Sequence, residues 1–204
     1  MATDVTRIAS ASGAPPPWDA AERGPSPNGS PPRQIANKLG EMRLLDQPAK
    51  ALAAVSRLAL PEGGLKDFLR GKWMGHPFHP AATDVPIGAW TSASILDLVG
   101  GKHAQTAADI LVAVGIAAAV PTAASGLADW SEIEQPEAKR VGVVHGLANN
   151  ITLGVYIASL AARLQGRRSR GVLLALAGLG GLSAGGYLGG HLAYGLGVGV
   201  EARR

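Results

Sequence analysis

From Gly171 to Val200 the chain runs thirty residues without a side chain that is charged at neutral pH, counting His191 as neutral. A helix with no polar face cannot stand between core and water, so it belongs in a core or in lipid. A bilayer core takes about 20 apolar residues per helix. Three further apolar runs precede it, at Ala81–Val99, Ile110–Ala128 and Val141–Ala162, joined by the short polar links "GGKHAQTAAD", "DWSEIEQPEAKR" and "RLQGRRSR". Short links make neighbouring helices antiparallel. The expected fold is therefore all-α: an integral membrane, up-down four-helix bundle with spans at 81–99, 110–128, 141–162 and 171–193, in a domain covering 73–200.

Composition agrees. Hydrophobic residues make up 47% of the chain but aromatics only 4%, and small apolar residues suit helices that pack closely in lipid. Residues 1–33 are rich in Pro, Ser, Gly and Ala, and such a stretch cannot bury enough surface to order itself, so a disordered tail is expected. Residues 34–72 read as a partly helical juxtamembrane segment. Within it, "PAKALAAVSRLAL" has an apolar and a basic face, suited to lying on a membrane surface or packing on the domain. Residues 201–204 form a short tail. With no cysteine, the chain holds no disulfide, thiolate zinc site or cysteine-ligated iron–sulfur cluster. The net charge of +4 comes from tail and loop residues with no aromatic-interleaved basic stripe, so no nucleic-acid partner is expected. No G-x-S-x-G serine, no dinucleotide fingerprint behind a strand and no phosphate-loop lysine is present.

Polar residues fall at helical spacing within the runs. His145, Asn149, Thr152, Tyr156, Ser159 and Arg163 lie 4, 3, 4, 3 and 4 apart, which places them on one face that must look inward. Gly115, Ala118, Thr122, Ser125 and Asp129 do the same in the second run, beside a kink expected at Pro121. Asp84, Ile87, Thr91 and Ser94 form the expected inner face of the first. Ala177, Gly181, Gly185 and Gly189 make a ladder in the fourth, able to admit a neighbouring helix or a flat cofactor.

Hairpin threading brings the start of the first run, the end of the second, the start of the third and the end of the fourth to one level. His76 and His79, in "MGHPFHPAATDVPIGAW", are thus expected to meet Asp129, His145 and His191, while His103 stays on the other face as a surface residue. Three uses of this layer are open. His145 and His191, with His79 in reserve, could hold a b-type haem axially. His79, His145, His191 and Asp129 could make an N/O metal site, with His76, Asp84 and Asn149 orienting the ligands. Alternatively, the histidines are satisfied polar core that fastens helix ends. At the opposite level Asp97, Asp109 and Arg163 are expected to form a structural ion pair, since pairing lowers the cost of each charge.

The elements "GHPFHP", "DVPIGAW", "SGLADW", "RVGVVHGLANN" and "GGYLGGHLAYGLGVGV" resemble a bacterial family of predicted membrane proteins often fused to a C-terminal Rieske iron–sulfur domain. The resemblance covers roughly Gly71 to Val200 and takes in His76, His79, Asp84, Asp129, Arg140, His145, Asn149 and His191. It implies a four-helix membrane domain and, by neighbourhood, membrane electron transfer, with no ligand role carried onto any residue. Lacking cysteine, this chain would meet a Rieske-type partner in trans.

Two functional expectations follow. One is a redox subunit binding haem between helices and working with a quinone or Rieske-type partner. The other is a non-catalytic membrane scaffold or accessory subunit whose histidines are structural, or which holds a non-haem metal. A metal-dependent membrane hydrolase has less behind it, since no Glu lies in the four spans to act as base. Seven basic residues on the histidine side (Lys66, Arg70, Lys72, Lys139, Arg140, Arg203, Arg204) stand against five on the other (Lys102, Arg163, Arg167, Arg168, Arg170). That lean places both termini on the cytoplasmic side of the plasma membrane, in a multi-pass protein.

Overall fold

A computed structural model describes residues 29–200. Most of the expected 1–33 tail, and all of the 201–204 tail, lie outside the described residues. The last three positions of the expected N-terminal tail begin a helix instead. Helix α1 spans Pro31–Glu41, with prolines at its start, where a missing N–H removes no helical bond. Helix α2 spans Asp46–Ala59, with Asp46 in the first turn complementing the helix dipole, and it ends just ahead of Pro61. The short α3 spans Gly64–Leu69 and is followed by Gly71 at φ 76°. A Cβ there would sit 2.8 Å from the Phe78 nitrogen, so that turn admits only glycine.

Four long helices follow: α4 (Phe78–Val99), α5 (Gln105–Ser131), α6 (Pro136–Leu164) and α7 (Arg168–Gly190), the last running into a π-helical turn at His191–Gly195. Each begins ahead of its apolar run, taking in residues of the preceding link, and α5 and α6 also run past the end of theirs. The end of α6 shows how a link is made. Gly166, at φ 74°, lets Arg167 N–H bond Ala162 O at 2.9 Å and Gly166 N–H bond Arg163 O at 3.0 Å, the paired bonds of a Schellman stop.

The four-span bundle is not what forms. The described residues contain seven α-helices, of which three are long and apolar enough to cross a membrane: Lys102–Ser131, Pro136–Leu164 and Arg168–Gly195, flanking turns included. Helix α4 has the length of a span but not the composition. Asp84 and Asp97, with Pro80 and Pro86, dilute its apolar run. Its inner face also differs from expectation. Asp84, Ile87 and Thr91 are exposed, and the buried positions are Pro86, Ala89, Trp90, Ala93 and Ser94. Trp90 sets this register, because its ring fills the space where Gly115 of α5 lacks a side chain and its Nε1–H bonds Val112 O at 3.2 Å.

Helices α6 and α7 pack as an antiparallel pair, with side chains of one seated on glycines of the other. Arg163 lies on Gly171, Tyr156 on Gly178, Thr152 on Gly181, Asn149 on Gly185 and His145 on Gly189. The expected polar stripe of α6 thus faces α7, and the glycine ladder receives a helix. On α5, Gly115, Thr122 and Ser125 are buried as expected. The helix runs on through Pro121, and Thr122 Oγ1 donates to both Ala118 O at 2.8 Å and Ala82 O at 3.2 Å. Such a hydroxyl bridge ties α5 to α4 beside a residue that cannot donate.

Helices α2 and α3, with the end of α1, cover the α5–α6 turn. Ala36 and Ala49 pack with Trp130, Ile133, Ala138 and Val141, and Leu60 and Leu69 pack on Ala128. Ion pairs fix them there. Arg140 donates to Asp46 at 2.7 Å and to Gly40 O at 2.8 Å, and buried Lys66 bonds Glu62 and Glu132 at 2.6 Å each. The Arg140 hydrogen bond holds the Asp46 carboxyl below its ordinary range, and the Lys66 hydrogen bond does the same to Glu132. A lowered carboxyl contributes stability that is complete above its unfolded pKa and lost as pH falls through the folded one. Lys66 is raised, chiefly by Glu132, so its share is complete below the ordinary lysine range and lost only above the raised value. Limited proteolysis between α3 and α4 should therefore be slow across neutral pH and accelerate as pH drops from about 5 to about 3. A rate independent of acid would show that these pairs do not hold the N-terminal helices.

Candidate functional site

The imidazole layer forms in part. His79, in the first turn of α4, reaches α5, where its Nδ1 lies 2.9 Å from Thr122 O and 3.4 Å from Ser125 Oγ, over Gly126. His145 of α6 reaches α7, with Nδ1 3.0 Å from Gly185 O, and Asn149 Nδ2 stands 3.1 Å from its Nε2. The two rings meet edge to face, centroids 6.2 Å apart and planes at 88°. A carbonyl oxygen can only accept, so each Nδ1 carries the proton and each Nε2 is an acceptor. The Asn149 amide donates to the acceptor on His145. Glycine makes both contacts reachable, since a Cβ at Gly126 would lie 2.8 Å from His79 Cε1 and one at Gly189 3.1 Å from His145 Cε1.

The other expected members are placed differently. His191 is buried in the π-helical turn over Gly195, where a Cβ would meet its Nδ1 at 2.8 Å. The ring packed on His145 is that of His79. Asp129 is half-buried on α5 within the field of Arg70 and Glu132. His76 is exposed, its Nδ1 3.2 Å from Pro77 O, and Asp84 is exposed on the outer side of α4. Among the described residues, no group of three or more His, Asp or Glu side chains is placed to hold a metal ion. The expected ligand set His79, His145, His191 and Asp129 is not gathered into one coordination shell.

At the other end, Asp97, Asp109 and Arg163 come together with a fourth group, Arg168. Arg163 bonds Asp97 through both terminal nitrogens and Asp109 at 2.8 Å, and Arg168 bonds Asp97 at 2.7 Å and Asp109 at 3.0 Å. The Asp97 and Arg163 side chains are fully buried. Arg163 Nε also donates to Ser159 Oγ, whose own hydroxyl donates to Gly171 O at 2.6 Å. Two arginines and two carboxylates cancel, as charges shut away from water must. Sequence reasoning alone leaves Arg168 among the loop cations. The signal that points to it is Gly166, three residues after the last member of the α6 stripe: a glycine there closes the link tightly enough to set Arg168 beside Arg163.

Comparison with curated proteins and with solved structures gives no significant match. The family model described as "Predicted membrane protein (DUF2231)" matches residues 75–202. The match begins just before α4 and takes in His79, His145, both hairpins and the four-charge cluster, while α1–α3 lie ahead of it. Well over half of the chain is covered, and the chain belongs to this predicted membrane protein family.

Proposed function

We propose that this multi-span, α-helical membrane protein is a non-catalytic scaffold or accessory subunit, and that its imidazole pair fastens helices. One observation carries the reading: each Nδ1 of His79 and His145 is committed to a backbone carbonyl of the neighbouring helix, and the remaining nitrogen of His145 is committed to Asn149. Interhelical hydrogen bonds by polar side chains are a common way to hold helices where lipid supplies no hydrophobic drive. The chain sits in the cell membrane with α1–α3 on the cytoplasmic side, where the basic residues of that end would lie. A Rieske-type or other redox complex is the partner such a subunit would hold.

Two measurements test this. Protein purified in detergent should be colourless and carry no stoichiometric metal. His145→Ala should lower stability by about 1–3 kcal/mol, the cost of leaving the half-buried Asn149 amide without its acceptor and of losing the interhelical bond to Gly185 O. A reducible Soret band, or one metal per chain that disappears in His145→Ala, would replace the scaffold reading with a cofactor site.

A further inference from the structure

Helices α2 and α3 are docked by one face and bare on the other. Ala49, Ser56, Leu60, Lys66 and Leu69 are buried. Val55, Leu58, Leu65, Phe68 and Trp73 are exposed, Leu58 at 86% and Trp73 at 60%. Three aromatic rings stand in a row at this edge: Phe68 stacks on Trp73 with centroids 5.7 Å apart, and Trp73 lies 6.4 Å from Phe78. The indole N–H of Trp73 is already spent on Phe68 O at 3.2 Å. That ring can therefore enter a less polar medium without stranding a donor.

The exposed part of α2 is itself divided. Lys50, Ala54 and Arg57 fall on one flank and Ala51, Val55 and Leu58 on the other, each set spaced 4 and 3. Lys50 and Arg57 make no ion pair among the described residues, whereas the one acidic group of α2, Asp46, is paired with Arg140. The uncompensated charge of α2 is thus positive. The position is also fixed, because Leu60 and Leu69 pack on Ala128, close to where α5 ends at Ser131. Finally, Phe78 continues the aromatic row into an apolar groove of about 220 Å³ between α4 and α5, lined with Ala82, Val85, Ala118 and Pro121.

We infer that α2, α3 and the Phe68–Trp73–Phe78 row form a lipid-binding headpiece for anionic phospholipid. It lies in the headgroup layer with its apolar flank and aromatics sunk toward the acyl chains and Lys50 and Arg57 on the phosphates. A basic amphipathic helix at the end of a span has the composition for that plane, and aromatic side chains favour it. A protein partner would also cover an apolar face. The unpaired cations, the level at the end of α5 and the continuity into a groove along a span fit a leaflet better. Apart from Phe78 and the groove, this surface belongs to the part of the chain that precedes the family match, and the inference stands apart from the role of the histidines.

The test uses the full chain in nanodiscs of phosphatidylcholine with and without phosphatidylglycerol. The fluorescence lost on Trp73→Phe isolates the contribution of that ring from the other three tryptophans. It should be quenched by lipids brominated high on the acyl chain and shielded from aqueous iodide. The double variant Lys50→Glu/Arg57→Glu, both positions being exposed, should lower phosphatidylglycerol enrichment around the protein about fivefold or more, with unchanged helical circular dichroism. Iodide quenching of the Trp73 component with no effect of bromolipid overturns the inference. So does enrichment that ignores the charge reversal, and so does a disulfide between copies through Leu58→Cys in this cysteine-free chain, which would assign the face to a second protomer.

Discussion

Arg163→Ala should be the most damaging single truncation in the chain, lowering stability by about 3–5 kcal/mol in a detergent unfolding titration. The guanidinium holds Asp97 with two nitrogens and Asp109 with one, and it is anchored from behind by Ser159. Its loss leaves Asp97 fully buried with Arg168 as the remaining cation. Desolvation of a carboxylate that keeps only part of its compensation is what makes the loss large. Arg163→Lys should recover only part, because an ammonium cannot fork across two carboxylates. Asp97→Asn in the Arg163→Ala background should restore stability relative to the single variant, because the buried charge then goes with its partner. Additive losses, or a cost below about 1 kcal/mol, would mean that the cluster is solvated and does not bind the hairpins, as exposed pairs commonly do not.

Gly178→Ala is expected to cost about 1–3 kcal/mol even though it adds one methyl group. The new Cβ would meet Tyr156 ring atoms at 2.6 and 2.8 Å. The ring has nowhere to retreat, since its other side is stacked on Trp90 with centroids 4.0 Å apart and planes within 4°. Trp90 in turn fills the notch at Gly115. One methyl therefore pushes through two rings into a second hairpin. Tyr156→Phe should give no rescue, because the ring is unchanged, whereas Tyr156→Leu in the Gly178→Ala background should regain part of the loss. The measurement is the unfolding midpoint of each protein under one condition. A neutral Gly178→Ala would show that α7 can shift away from α6 freely.

Periodicity makes the α6 stripe and the α7 ladder legible, because a helix that carries six polar groups at 4 and 3 spacing has one way to face. The contact between stripe and ladder is not legible. Sequence spacing gives each face but not which residue of one helix stands over which of the other. On α4, polar Asp84 and Thr91 point to the wrong face, and of the expected inner set only Ser94 is buried. Burial follows shape instead, with the large Trp90 finding a glycine in α5. The same helix misleads the count of spans, since its length suits a crossing while Asp84, Asp97, Pro80 and Pro86 take its hydropathy below that of the other three. Threading foresees a meeting of histidines, and His79 and His145 do come into ring contact. The turn around His191 departs from α-helical pitch, and no spacing rule foresees a π-helical turn. The charges at the far end are readable from the high cost of lone charges near lipid. Arg168 stays hidden because a residue next to a glycine link looks like loop until the link is known to be tight.

The four-charge cluster has a consequence for how the chain assembles. Both of its anions come from the α4–α5 hairpin and both of its cations from the α6–α7 hairpin. Before the halves join, each therefore presents a like-charged pair that no group of the cluster within its own half neutralises. Only the matching half cancels it, so the cluster works as a recognition code: a hairpin set against the wrong neighbour keeps its like charges uncancelled.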